Sequence, residues 1–204
     1  MGIDEAGRGC VLGDLVVAAF VVDDLDDDVL RAAGAADSKR LSHKRRLSAR
    51  EALSPHGEAD VRRITPTEID AGNLNQLEEA TIVALIERWR PDHVTIDALG
   101  HPRTLPALVE RLLGHLSYEP ELLIEPKADH HWPVVGAASI FAKTARDEAL
   151  AEVDAQHGPL GSGYPSDPTT RRWLSAWAAS RAPWPSFVRT RWQTVRDLAQ
   201  QSLV

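Results

Sequence analysis

A single cysteine, Cys10, in 204 residues leaves no intramolecular disulfide framework and no cysteine-rich zinc site. No apolar run approaches the ~18 residues a membrane helix needs, and residues 1–20 lack the layout of a secretion signal. A cytoplasmic protein with no membrane partner is therefore expected. Lysine is scarce: Lys39, Lys44, Lys127 and Lys143 are the four among 23 basic residues, so arginine is the general surface cation. Aromatic residues make up 5%, yet four of the six tryptophans (Trp173, Trp177, Trp184, Trp192) fall in the C-terminal segment. There is no internal repeat, low-complexity linker or clear domain boundary. One domain spanning 1–204 is expected, with about 169–204 as a helical C-terminal segment, and 43% apolar residues suffice for an ordinary core.

The net charge of −7 argues weakly against a nucleic-acid partner, but its distribution matters more. Residues 22–28 (VDDLDDD) hold five aspartates. Residues 39–46 (KRLSHKRR) hold five fixed positive charges, and residues 171–204 hold six arginines against one acid, Asp197. A basic surface can therefore exist on an acidic protein; two solvated faces of opposite sign fit the same pattern.

Periodicity predicts a short strand at Gly2–Glu5, then a nearly continuous apolar strand over 11–22. Helices are expected over 37–53, capped by Asp37 or Ser38, and over 67–89 as one long helix that Pro91 ends. Strands follow at 61–65, 93–97 and 121–124, with a helix over 105–116. An alanine-rich helix spans 136–155, residues 157–168 form a loop, and helices close the chain at 169–182 and 189–202. This order predicts an α/β fold with a mixed five-stranded sheet flanked by helices and a helical C-terminal extension.

Four acids stand out. Asp4 and Glu5 are adjacent; regular strand geometry points them to opposite faces, and Gly7 and Gly9 permit a bend. Asp97 ends the apolar strand V-T-I-D at a Gly/Pro loop, where α/β proteins place ligands; a helix cap is the plainer alternative. Asp147 shares a helix face with Lys143 and Ser139, which also fits a surface ion pair. Two carboxylates about 4 Å apart repel by roughly 4 kcal/mol at an effective dielectric of 20. Convergence would therefore call for a divalent counter-charge, and all-oxygen ligation selects Mg²⁺ or Mn²⁺. Two such ions could clamp the attacking and leaving oxygens of a phosphodiester.

Seven motifs, in order, resemble type 2 ribonuclease H (ribonuclease HII) over nearly the whole chain, closer to its archaeal than its bacterial branch. They are Gly2-Ile-Asp-Glu-Ala-Gly-Arg-Gly9; Asp37-Ser-Lys-Arg-Leu41; Thr95-Ile-Asp97; Lys127-Ala-Asp129 with Trp132-Pro-Val-Val135; Ala137-Ala-Ser-Ile-Phe-Ala-Lys143 with Arg146-Asp147; Gly161-Ser-Gly-Tyr-Pro-Ser-Asp167; and Phe187-Val-Arg189 with Trp192. The resemblance implies the ribonuclease H fold and a catalytic, metal-binding set of Asp4, Glu5, Asp97 and Asp147, with Mn²⁺ or Mg²⁺ as cofactor and two ions in the substrate complex. It implies hydrolysis of the RNA strand of RNA–DNA hybrids. It also implies incision 5′ of a single ribonucleotide in duplex DNA, leaving 5′-phosphate and 3′-hydroxyl ends.

By the same resemblance the substrate contacts are Gly7, Arg8, Gly9, Lys39, Arg40, Lys127, Ser139, Lys143 and Tyr164. The glycine turn and Tyr164 would sense the ribose 2′-OH, and Lys39 and Lys127 would meet phosphates. Lys143 stands against Asp147 or against a phosphate. Trp173 and Trp177 are one helical turn apart and favour core packing over base stacking. Cys10 departs from the family's usual proline, Asp14 is also unusual, and His130-His131 fits an exposed loop better than a metal site. A monomer is expected. Gln200-Gln-Ser-Leu203 begins the clamp-binding peptide of archaeal members, but the motif is incomplete at Val204, so a sliding clamp is no more than a candidate partner. The competing readings are a type 3 enzyme, which carries an N-terminal extension, and a hybrid-binding module without catalysis, which the four acids argue against.

Overall fold

The computed structural model describes residues 1–24, 26–35, 41–98 and 102–201, the side chains of Pro102 and Gln201 excepted. Asp37 and Ser38, the candidate contacts Lys39 and Arg40, most of the Gly100 loop and the C-terminal Leu203 lie outside the described residues; the helix expected from 37 with a cap at Asp37 or Ser38 instead begins at His43, capped by Ser42, whose Oγ accepts from the Arg45 amide.

Five strands form one mixed sheet: β1 (Gly2–Ala6), β2 (Leu15–Val21), β3 (Glu58–Ile64), β4 (His93–Asp97) and β5 (Glu121–Glu125), in the order β3-β2-β1-β4-β5. β1 runs antiparallel to β2 and parallel to β4, and β4 runs parallel to β5. The helices are α1 (Asp27–Ala32), α2 (His43–Leu53), α3 (Pro66–Ala71), α4 (Leu74–Trp89), α5 (Leu105–His115), α6 (Ala128–His131), α7 (Pro133–His157), α8 (Pro168–Ser180) and α9 (Gln193–Gln201).

Several sequence expectations differ in detail; the strand expected at 61–65 is Glu58–Ile64, and the last helix, expected from 189, begins at Gln193. The apolar run over 11–22 is strand only from Leu15: Gly13 has φ +78°, and the Val11 and Leu12 amides donate to Gly163 O instead of a strand partner. The long helix at 67–89 is two helices. Asn73 Oδ1 caps α4 by accepting from the Asn75 and Gln76 amides, and a capping box between Thr65 and Glu68 starts α3. The acidic run at 22–28 leads into the unforeseen α1: Asp26 caps it, and Asp27 and Asp28 sit in its first turn, where the helix dipole favours negative charge.

The chain forms two compact units, residues 1–6, 16–62 and 78–145, and residues 7–15, 63–77 and 146–204. In the first, β2 is buried along almost its whole length, which explains its continuous apolar sequence. Gly2 permits close packing of β1 on the start of α7: a Cβ there would lie 2.4 Å from the Val134 backbone. Phe20 and Phe141 stack there with centroids 5.5 Å apart. In the second unit Val11, Leu12, Leu160, Leu174, Val188 and Val195 form a core against which Trp173, Trp184 and Trp192 pack. Trp173 and Trp177 stack at 5.1 Å in this aromatic layer, as core packing predicts. Among the described residues no helix is long and apolar enough to cross a membrane.

Candidate active site

The register of the sheet creates an acid cluster in the first unit. Ile3 and Ile96 are partners in parallel neighbouring strands, so the next residues, Asp4 within β1 and Asp97 at the end of β4, lie side by side where the β1–β4 pairing stops. Beyond β5, Lys127 adopts a left-handed conformation (φ 61°, ψ 34°) and starts the one-turn α6. The Ala128 amide donates to Asp97 Oδ1 at 2.9 Å, locking that turn onto the end of β4. The next residue, Asp129, is 1% exposed, and Asp4, Asp97 and Asp129 each place a carboxylate oxygen within 4.8 Å of the others.

Asp4 is 3% exposed and its Oδ1 accepts the Glu5 amide at 2.8 Å. Burial pushes its pKa up to about 6; Lys143 and a hydrogen bond from Ser139 oppose that rise, and Asp97 adds to it. Lys143 Nζ donates to Ser139 Oγ at 2.7 Å. Both residues expected among the substrate contacts on α7 therefore stand at the Asp4 carboxylate. Glu5 is half-buried beside Asp4. The donor set is carboxylate oxygen throughout, carries concentrated negative charge and is sheltered from water, which suits a hard divalent cation.

Asp129 is the residue that sequence reasoning missed. It lies inside the Lys127-Ala-Asp129 motif, two residues from the lysine that the resemblance assigns to a phosphate. A lone acid between a small buried residue and the apolar start of a long helix was the available signal. Its neighbours His130 and His131 are exposed as expected, though on a helix; His130 Nε2 lies 3.7 Å from Asp129 Oδ1 and His131 Nδ1 lies 3.0 Å from Glu125. Lys127 is exposed.

The second unit carries the glycine turn. The Cys10 amide donates to Gly7 O at 3.1 Å, and Gly7 has φ +86° with Asp14 O only 2.6 Å from where a Cβ would stand, so only glycine fits. Gly9 is exposed, and a Cβ there would lie 3.7 Å from the Tyr164 ring. Arg8 Nη2 donates to Asn75 Oδ1 at 2.6 Å. The Arg146 guanidinium lies 5.1 Å from the Tyr164 ring centroid. It donates through Nη2 to Ser162 O (2.8 Å) and Cys10 Sγ (3.1 Å), and through Nη1 to Asp147 Oδ1 (2.6 Å). Burial works against the Arg146 charge, but Cys10, Asp147 and Tyr164 outweigh it and raise its pKa. Asp147, expected as a metal ligand, thus lies in this unit with Arg146 on one oxygen. Asp14 is paired with Arg63 at 2.5 Å.

Comparison with known proteins is decisive about the family. The family model described as ribonuclease HII matches residues 1–195.

The chain belongs to the ribonuclease HII family.

It is 40% identical over 205 residues to the ribonuclease HII of Pyrococcus furiosus, covering 98% of this chain and 90% of that protein. The ribonuclease H2 structure from Pyrococcus horikoshii superimposes with a TM-score of 0.90 at 34% identity, over 99% of this chain and 97% of that one. The PCNA:RNase HII complex from Archaeoglobus fulgidus matches with a TM-score of 0.86 at 37% identity, over 97% and 95%. The mixed sheet and its flanking helices are accordingly the ribonuclease H fold, and the chain is a ribonuclease H, an endoribonuclease acting on RNA–DNA hybrids. These relatives are archaeal, in line with the branch the motifs favoured.

Proposed function

We propose that the enzyme cuts the RNA strand of RNA–DNA hybrids and also incises 5′ of a single ribonucleotide in duplex DNA, using Mg²⁺ or Mn²⁺ held by Asp4, Asp97 and Asp129 with Glu5 beside them. The observation that carries this reading is the triad of carboxylates within 4.8 Å of one another, Asp4 of β1 and Asp129 of α6 buried and Asp97 at the end of β4 partly so. A divalent cation bound there, joined by a second in the substrate complex, supplies Lewis acidity at the scissile phosphate and lowers the pKa of attacking water. Asp4, near pKa 6 without a cation, would be mostly ionised at neutral pH and ready for a cation, and below about pH 6 the cation would have to displace its proton. Lys143 and Ser139 would keep the Asp4 carboxylate oriented. The water oxygen bonds to phosphorus, the bond to the 3′ oxygen breaks, and that oxygen leaves protonated, giving 5′-phosphate and 3′-hydroxyl ends.

Ribose discrimination is assigned to the Gly7-Arg8-Gly9 turn and the Tyr164 hydroxyl. An enzyme blind to base sequence must read the 2′-OH and the backbone. Gly9 leaves room for close approach, and the exposed Tyr164 ring beside it offers a stacking face. Lys127, with Lys39 and Arg40, is assigned to phosphates. The sequence resemblance selects Asp147 for the metal set; we give that place to Asp129, with Asp147 as the competing assignment that the Asp129→Asn and Asp147→Asn variants decide. Binding to a sliding clamp, which the Archaeoglobus relative shows in its complex with PCNA, is proposed on that likeness.

The test offers two duplexes, one a uniform hybrid and one with a single embedded ribonucleotide, with and without Mn²⁺. Cleavage of both, dependent on the ion, is expected. A chain that cuts only the uniform hybrid lacks the incision activity, and one that binds both and cuts neither is a binding module.

A further inference from the structure

We propose that Arg189 is a positioning residue for ribose recognition, its buried guanidinium holding the turn that sets Gly9 against Tyr164. The proposal rests on the reading of that turn as the ribose sensor.

The Arg189 side chain is fully buried. Among the described residues no carboxylate lies within ion-pair distance of it. Its guanidinium instead bonds to main chain: Nε donates to Gly13 O at 2.9 Å and Nη1 to Arg8 O at 3.0 Å. These two carbonyls bracket Gly9 to Leu12, so one rigid planar group fixes both ends of the segment that follows Arg8. The main chain adds two ties, Arg189 N donating to Val11 O (2.9 Å) and Gly13 N donating to Phe187 O (2.8 Å), which together make the isolated antiparallel bridge between Leu12 and Val188. Trp192 covers the group, with its ring centroid 5.1 Å from the guanidinium carbon.

Such an arginine is costly. Burial pulls its pKa down to about 10, which still leaves it charged at neutral pH. An apolar side chain of the same volume would pack there without taking a cation out of water. What the arginine alone provides is a planar fork whose donors reach two carbonyls in different directions; a lysine is a single point charge.

The other attachment of the turn leads to the tyrosine. The Val11 and Leu12 amides both donate to Gly163 O, at 2.8 and 3.2 Å, and Tyr164 is the next residue. The spacing between Gly9 and the Tyr164 ring is therefore set by two anchors, Gly163 on one side and Arg189 on the other. Arg189 is itself buried beneath the turn and acts through the backbone it holds.

The experiment measures kcat/KM of full-length Arg189→Lys, Arg189→Gln, Tyr164→Ala and the unchanged enzyme on the two duplexes above, with thermal melting to score the folded fraction. Tyr164→Ala should lower the ratio of single-ribonucleotide to uniform-hybrid cleavage about tenfold. Arg189→Gln should lower the same ratio by a similar factor, and Arg189→Lys, which keeps the charge but not the fork, by about threefold. A structural role alone would lower both substrates equally, in step with the folded fraction. If Arg189→Gln fails to fold, the lysine variant and amide exchange at residues 8–13 carry the test, with faster exchange expected. A ratio shifted by Tyr164→Ala but unmoved by the Arg189 variants overturns the proposal and leaves the ribose reading standing. A ratio unmoved by Tyr164→Ala removes the ribose reading, and this proposal falls with it.

Discussion

The acid cluster of the first unit and the glycine turn of the second are held by opposite means. Asp4 and Asp97 are placed by parallel strand register, and the main-chain bond from Ala128 to Asp97 draws in Asp129, so regular secondary structure brings like charges together. The glycine turn has no ladder to rest on. Left-handed glycines shape it, and the guanidinium groups of Arg146 and Arg189 hold it. Negative charge crowded in one place needs a rigid scaffold to withstand its own repulsion, and a sheet supplies one. A surface that must meet a sugar closely needs backbone without side chains, and side-chain cations then replace the lost ladder.

The comparison is broken most severely at the acids. Asp97→Asn should reduce cleavage of a uniform hybrid by at least ~10²–10³-fold with hybrid binding retained, measured by single-turnover cleavage and filter binding. Near-normal turnover would detach the cluster from the chemistry. A sharper contrast sets Asp129→Asn against Asp147→Asn. The geometry predicts the larger loss for Asp129, since it joins Asp4 and Asp97 while Asp147 has Arg146 on its Oδ1. The reverse order would return the metal role to the residue that the sequence resemblance selected.

The smallest effect is on stability. Asp4 has a folded-state pKa raised from 3.8 to about 6, so the folded state prefers the protonated acid. The cation-free protein should therefore lose stability relative to the unfolded chain as pH rises from about 4 to about 6, with the penalty full above 6. Asp4→Asn removes that penalty. Its melting temperature without metal should exceed that of the unchanged protein by a few degrees at neutral pH, with the gap closing as pH falls to about 4. A gap independent of pH would show that Asp4 does not carry the burial strain.

Much of the molecule was legible in its sequence. Asp97 at the end of V-T-I-D was readable as a ligand position, because a carboxylate closing an apolar strand either caps a helix or faces a ligand. The strand at 93–97 was placed to the residue. What escaped depended on long-range partners. Residues 11–14 are apolar enough for strand, but Gly163 takes the Val11 and Leu12 amides. Asp129 has no strand or helix pattern of its own; Lys127 in a left-handed turn and the Ala128 bond to Asp97 bring it to the cluster, and neither leaves a periodic trace. The aspartate run at 22–28 read as charge alone, although Asp26 caps a helix there. Lys143 offered Asp147 as its obvious i,i+4 companion, while its Nζ donates to Ser139 beside Asp4.

Calorimetric titration of the cation-free enzyme with Mn²⁺, repeated on Asp129→Asn and Asp147→Asn, tests the central claim most directly. The carboxylate triad predicts saturable binding by the unchanged protein, at least ~10-fold weaker binding by Asp129→Asn, and little change in Asp147→Asn. Unchanged affinity in Asp129→Asn would contradict it.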